Sequence, residues 1–208
     1  MKRVHGQTMH RRIRGLAIAL SLAWPLETAC LTDHSADEGT RSGMILSAKR
    51  MPDGKQWTTD NLNVATGQSY CYQDAEANCR RYGRLYTWES AQRGCRSLGD
   101  GWRLPTNDEW QQLAKHYGGV RDDSNDTGKA AYTALVIGGV SGFNALLGGS
   151  RDADGLNARL EAHGFYWTAS ETDLASAWFY NFGRGGLALN RHRDGNKQMA
   201  VSVRCINE

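Results

Sequence analysis

Residues 177–205 read AWFYNFGRGGLALNRHRDGNKQMAVSVRC, and the reading of this stretch decides the fold. Aromatic and aliphatic residues alternate with polar ones at the two-residue period of a strand, and glycines interrupt the runs. With FYWTAS at 165–170 in front of it, the C-terminal part offers four strand-type runs: FYWTAS, AWFYNF, GLALNRH and MAVSVRC. Residues 183–186 can turn between the second and third, and Asp194-Gly195 between the third and fourth. The expectation is an antiparallel meander that ends at Cys205.

Alternation also divides the strands into faces. Trp178 and Tyr180 share one face and Phe179 and Asn181 the other, so one set packs and one is displayed. Turn and strand residues nearby carry polar groups that a core cannot satisfy. Rigid aromatics beside Asn and Arg are the chemistry of a recognition surface. The candidate ligand-binding residues are therefore Trp178, Tyr180, Asn181, Arg184, Asn190, Arg191 and His192, with Tyr180 read as exposed.

Upstream of the meander the period changes from two to 3.6. In TWESAQRGCRSLG, residues 87–99, Thr87 can cap, Trp88, Ala91, Cys95 and Leu98 recur on one face, and Gly99 can end the helix. In PTNDEWQQLAKHYG, residues 105–118, Thr106 and Glu109 form a capping box ahead of a stripe of Trp110, Leu113, Ala114 and Tyr117. A third, short helix is possible across 130–137. Further upstream, residues 45–72 read as strands or extended loops with a turn at Pro52-Asp53-Gly54.

The N-terminal end is different in kind. Residues 1–15 are basic, 16–26 are mostly apolar, and Thr28-Ala29 supplies small side chains for a signal protease. Residues 1–29 read as a signal peptide, because the apolar run falls short of the roughly 20 residues that cross a bilayer. Cys30 directly afterwards is the candidate lipidation site, although Glu27 stands where lipoprotein signals carry Leu. Cleavage without lipidation, giving a secreted or periplasmic protein, is the alternative. Residues 30–43 read as a polar tether and 44–208 as the folded domain.

The chain has 25 Lys and Arg against 22 Asp and Glu. Setting aside Lys2, Arg3, Arg11, Arg12, Arg14 and Glu27 leaves 20 basic against 21 acidic side chains, so no general attraction to phosphate and no nucleic-acid partner is expected. Of five cysteines, Cys30 is assigned to lipid, and four in an exported chain favour two disulfides. Three pairings are possible, and proximity alone favours Cys71–Cys79. A zinc site is the competing reading, but none of the four shows C-x-x-C spacing.

Several motifs carry a resemblance: DGKQWTTDNLNV (53–64), SYCY (69–72), YGRLYTWESA (82–91), GWRLPTNDEW (101–110), GFNALLGGSR (142–151), YWTASE (166–171) and SVRC (202–205). In this order they resemble the Fibrobacter succinogenes major paralogous domain. The resemblance implies an α+β, C-type-lectin-like fold with two helices and a terminal antiparallel meander, similar also to formylglycine-generating, sulfatase-modifying enzymes. It implies export and lipid anchoring in a bacterial envelope, at the outer membrane or cell surface. The lectin-like placement of two cysteines implies the second bridge, Cys95–Cys205, and Trp57, Trp88, Trp102, Trp110 and Trp167, which all fall inside these motifs, are read as core. Similar domains serve as variable proteins of diversity-generating retroelements, and residues 177–205 resemble such a region.

The functional expectation is a binding module for a protein or glycan, attached to the membrane through its lipid only. An enzyme of sulfatase-modifying or glycan-processing type and a structural envelope protein without a specific ligand are the rivals. No catalytic residues are assigned, because the cysteines are used as bridges and His116, His163 and His192 lack a patterned nucleophile or orienting carboxylate. No cofactor or metal is expected. DDSND (122–126) and DADG (152–155) offer oxygen ligands suited to Ca²⁺, but neither completes a known loop. The oligomeric state is not legible.

Overall fold

The computed structural model describes residues 47–122 and 124–208. The expected signal peptide (1–29), the expected tether (30–43) and the candidate lipidation site Cys30 lie outside these residues. The domain is α+β. Its first strands, β1 (Ala48–Arg50) and β2 (Gln56–Thr58), form an antiparallel hairpin. Next come β3 (Ser69–Tyr70), a single 3₁₀ turn (Tyr72–Asp74), helix α1 (Glu76–Tyr82) and β4 (Leu85–Tyr86), which pairs with β3. Helices α2 (Trp88–Arg96), α3 (Asn107–His116) and α4 (Lys129–Leu135) follow. A small hairpin, β5 (Ser150–Arg151) and β6 (Asn157–Ala158), leads into the long strands β7 (His163–Glu171), β8 (Ser176–Gly183) and β9 (Ala188–Asn196). The chain finishes with β10 (Ile206–Asn207), paired antiparallel to β2 so that both ends of the domain share one sheet.

The helices expected at 87–99 and 105–118 are α2 and α3. Thr106 accepts from the Glu109 amide at 3.3 Å while Glu109 accepts from the Thr106 amide at 2.8 Å, which completes the capping box. Thr87 does stand at the N-cap of α2, but its hydroxyl bonds the Ser90 hydroxyl at 3.2 Å and caps no amide. Helix α1 was not expected. It buries only Cys79 and Tyr82, too few positions to produce a helical period.

The meander has three strands, in the order β7-β8-β9. Asp194-Gly195 does not turn, because β9 continues through both residues to Asn196. Gly195 is needed there for close approach: a Cβ would sit 2.7 Å from both the Phe179 and Trp167 rings. The chain turns instead after Asn196. The expected fourth strand, MAVSVRC, is not regular. Ala200, Val201 and Ser202 form single bridges to Arg151, Tyr86 and Tyr166, three different neighbours.

This sheet is packed on both faces. On one face Tyr166, Tyr180, Phe182 and Leu189 join Trp57, Trp110, Leu113, Leu135 and Phe143. On the other, Phe165, Trp167 and Ala177 meet Trp88, Ala91, Cys95, Val201 and Val203. The Cys95–Cys205 bond fastens α2 to the residue before β10, and Cys71–Cys79 closes a local loop, as the sequence reading paired them. Arg204 is fully buried. It donates to Asn61 Oδ1 and to the carbonyls of Thr58, Phe143 and Asn144 at 2.6–2.8 Å, so that its charge is hydrogen-bonded although it forms no ion pair among the described residues. Trp102 is a correction: it is half-buried and lies at the margin of the second cluster. No helix of the described residues is long and apolar enough to cross a membrane.

Candidate functional site

The second face of the meander is closed only in part. Around Phe179 and His192 its cover is incomplete, leaving a cleft of about 320 Å³ between the sheet and the β5–β6 hairpin. The floor is apolar, built from Phe165 of β7, Phe179 of β8, and Met199 and Val201 of the returning chain. Around it stand Asn181, His192 and Asp194 from the sheet, and Asp152 and Arg159 from the hairpin.

Strand pairing sets the order of these groups. Phe179 lies opposite His192, and their rings stack at 4.8 Å and 16°. Phe165 lies opposite Asn181 and stacks on His163 at 5.5 Å. Asn181 is 8% exposed. Its Oδ1 lies 3.0 Å from His163 Nδ1, whereas its Nδ2 makes no hydrogen bond among the described residues and is open to solvent. Burial pushes the His192 pKa below the usual imidazole value, against the pull of the Asp194 and Asp122 carboxylates. The ring is therefore neutral at pH 7 and offers one donor and one acceptor.

The hairpin wall is held from behind. Gln73 N donates to Asn157 Oδ1 at 3.1 Å, Arg151 lies 3.4 Å from Asp74, and the Arg151 guanidinium covers the Tyr70 ring at 4.5 Å. Gly149, with φ +69, allows the chain to enter: a Cβ there would meet the Ala158 carbonyl at 2.5 Å. Arg159 has φ +66, unusual for a residue with a side chain, and it places a guanidinium at the rim. The side chains of Asp152, Arg159 and Asp194 form no ion pair or hydrogen bond among the described residues.

The seven predicted ligand-binding residues divide between the two faces and one turn. Asn181, Asn190 and His192 share the cleft side, and Asn181 and His192 line the cleft. Tyr180 is corrected: it is fully buried, stacked on Trp110 at 5.0 Å, with its hydroxyl 3.1 Å from the Asn107 carbonyl. Helix α3 covers that face, so the tyrosine is core. Trp178 and Arg191 lie at the margin of the same face, with the guanidinium 5.2 Å from the indole. Arg184, in the β8–β9 turn, borders a separate hollow of about 380 Å³ with Tyr82 and Glu161. The sequence reading missed Phe165, Phe179, Asp152, Arg159 and Asp194 as site residues. Alternation does group Phe179 with Asn181 but does not say which face stays open, and the hairpin that completes the cleft carries no periodic signal.

Metal ligation has one geometric candidate among the described residues, the group Cys71, Glu76 and Cys79. Both sulfurs are joined in the disulfide and supply no thiolate. In the DDSND segment, the Asp126 carboxylate accepts from the amides of Gly128 and Ala130 and from the Ser124 hydroxyl, so it is used to order the entry to α4. In DADG, Asp154 accepts from the Leu156 amide.

Among known proteins, no curated sequence and no solved structure gives a significant match. A family model does match, across residues 44–207, and that span holds the capping box, both disulfides and every wall of the cleft. The chain belongs to the Fibrobacter succinogenes major domain family.

Proposed function

We propose that this chain is an exported binding module and that the cleft beside β7–β9 is its ligand site. The observation that carries this reading is Asn181, a residue only 8% exposed that lines the cleft and whose Nδ2 makes no hydrogen bond among the described residues. That nitrogen is open to solvent, and a ligand that covers it must accept its hydrogen bond or forfeit about 1–3 kcal/mol. The unpaired rim charges of Asp152, Arg159 and Asp194 support the same reading, and concave sites with an apolar floor and a few convergent polar groups are the usual form of ligand sites.

Binding is favoured over catalysis because all four described cysteines are bonded to one another, which removes the reactive pair on which a sulfatase-modifying type of reaction depends. Export is supported by the signal-like residues 1–29 and by the two disulfides, and anchoring by Cys30 after Thr28-Ala29. The C-type-lectin-like reading is supported by a cysteine of helix α2 bonded to one beside the last strand. If the gene is diversified by a retroelement, a template repeat lies in its flanking DNA.

The test is capture on a glycan array and on a peptide display library, with the wild-type chain and an Asp152→Asn, His192→Gln, Asp194→Asn triple variant. Binding that the triple variant loses, with a stability loss no greater than the roughly 1 kcal/mol of the lost His192 stacking, supports the cleft. Binding that survives in the triple variant, or that disappears only with Arg184→Ala and Arg191→Ala, overturns it. Anchoring is tested separately: Cys30→Ser should release the chain from membranes, and an intact mass without acyl chains would contradict lipidation.

A further inference from the structure

We propose that the cleft takes one neutral sugar residue, with its C–H face against the apolar floor of Phe165, Phe179, Met199 and Val201 and its hydroxyls shared among Asn181, Asp152, Asp194 and Arg159. The inference rests on the binding reading above and adds the ligand class.

Size is the first argument. At about 320 Å³ the cleft lies at the small end of ligand sites, which run from roughly 300 to 1,000 Å³. Protein partners instead cover about 800 Å² a side over flatter surfaces. One ring-sized group fits here and a protein face does not.

Charge and hydrogen bonding select among ring-sized groups. A simple anion would meet the carboxylates of Asp152 and Asp194, and a simple cation the guanidinium of Arg159. A purely apolar group would suit the floor but would leave the Asn181 Nδ2 donor buried and unpaired. The rim thus requires a neutral ligand whose polar groups both donate, to two carboxylates, and accept, from an amide and a guanidinium. Hydroxyl groups do both. The floor requires that the same ligand carry an apolar face the size of an aromatic ring. A pyranose combines the two, with hydroxyls around its edge and C–H bonds on its face.

The test is an NMR titration of the ¹⁵N-labelled chain with the methyl glycosides of glucose, galactose, mannose and N-acetylglucosamine, and in parallel with a pool of tetrapeptides. The signals to follow are the Asn181 side-chain amide and the backbone amides of Asp152, Arg159, His192 and Asp194. At least one glycoside should shift these signals saturably, and Asp152→Asn with Asp194→Asn should weaken its binding at least tenfold. Both residues are exposed, so the melting temperature of the variant should not change. If peptides shift these signals and no glycoside does, the sugar assignment falls and the binding reading stands. If neither probe shifts them, or glycosides shift only residues outside the cleft, both fall.

Discussion

The two faces of the β7-β8-β9 sheet are made from the same three strands and are equally rich in aromatic rings, yet one is closed and the other is not. The closed face sets Tyr166, Tyr180 and Phe182 against Trp110, whose indole lies within 6.5 Å of five neighbouring aromatic rings. The open face sets Phe165 and Phe179 beside His163 and His192, and leaves Phe179 and His192 half-buried. The difference lies in the cover. Helices α3 and α4 span the first face, while α2 and the returning chain bury Phe165, Trp167 and Ala177 on the second but cover Phe179 and His192 only in part. A two-residue-per-strand hairpin stands off from the remainder and forms the cleft's wall. An aromatic ladder is therefore core or binding floor according to what the rest of the chain lays over it.

The largest effect that could break this comparison is expected on the closed face. Trp110→Ala and Tyr180→Ala should each cost about 3–5 kcal/mol in denaturant unfolding, as deletion of a buried ring does. A loss below about 1 kcal/mol would show that the face is not packed as described. Next comes the cover of the open face. Replacing Cys95 and Cys205 by Ala opens a loop of 110 residues and should cost about 2–5 kcal/mol. Replacing Cys71 and Cys79, separated by 8 residues, should cost less, because a shorter loop loses less entropy when closed.

Acid provides a smaller and more specific effect on the closed face. Burial raises the Glu109 pKa, but hydrogen bonds from Arg103 at 2.6 and 2.8 Å and from Thr106 outweigh it and bring the pKa down to about 2. A carboxylate held below its unfolded value stabilises the fold at neutral pH, and that contribution is lost as pH falls from about 4.5 towards 2. Glu109→Gln should flatten the stability profile across this window, and a variant with an unchanged profile would remove Glu109 from the account. His192 has the opposite ionisation but the same direction. Its depressed pKa means that the fold loses stability as pH drops below the usual imidazole value of 6.5. The smallest effect is expected from His192→Ala itself, about 1 kcal/mol for the lost stacking on Phe179.

Much of the scaffold was legible in the chain. The capping box of α3 is visible as Thr106 and Glu109, because both partners lie within one turn. The strand alternation of 177–183 is visible too, and it sorts Tyr180 from Asn181 correctly into opposite faces. What alternation cannot tell is which face another part of the chain covers. Tyr180 was read as displayed because its cover, Trp110, is seventy residues away in sequence. Gly195 was read as a turn because glycine serves turns and close approaches alike, and only the Phe179 and Trp167 rings decide between them. Asp152 and Arg159 were missed as site residues because strands of two residues have no period, and because a left-handed Arg has no sequence signature.

The claim that the open face holds the ligand is tested most directly by crystals soaked in aqueous isopropanol and, separately, phenol, since small organic probes collect where a site is built, whatever its natural ligand. The account predicts that both gather over Phe165 and Phe179, between Asn181 and Arg159. A larger open hollow of about 690 Å³ lies beside α4, next to the exposed Ile137 and Val140. Probes that collect there and leave the cleft empty would contradict the assignment of the ligand site to the open face of the sheet.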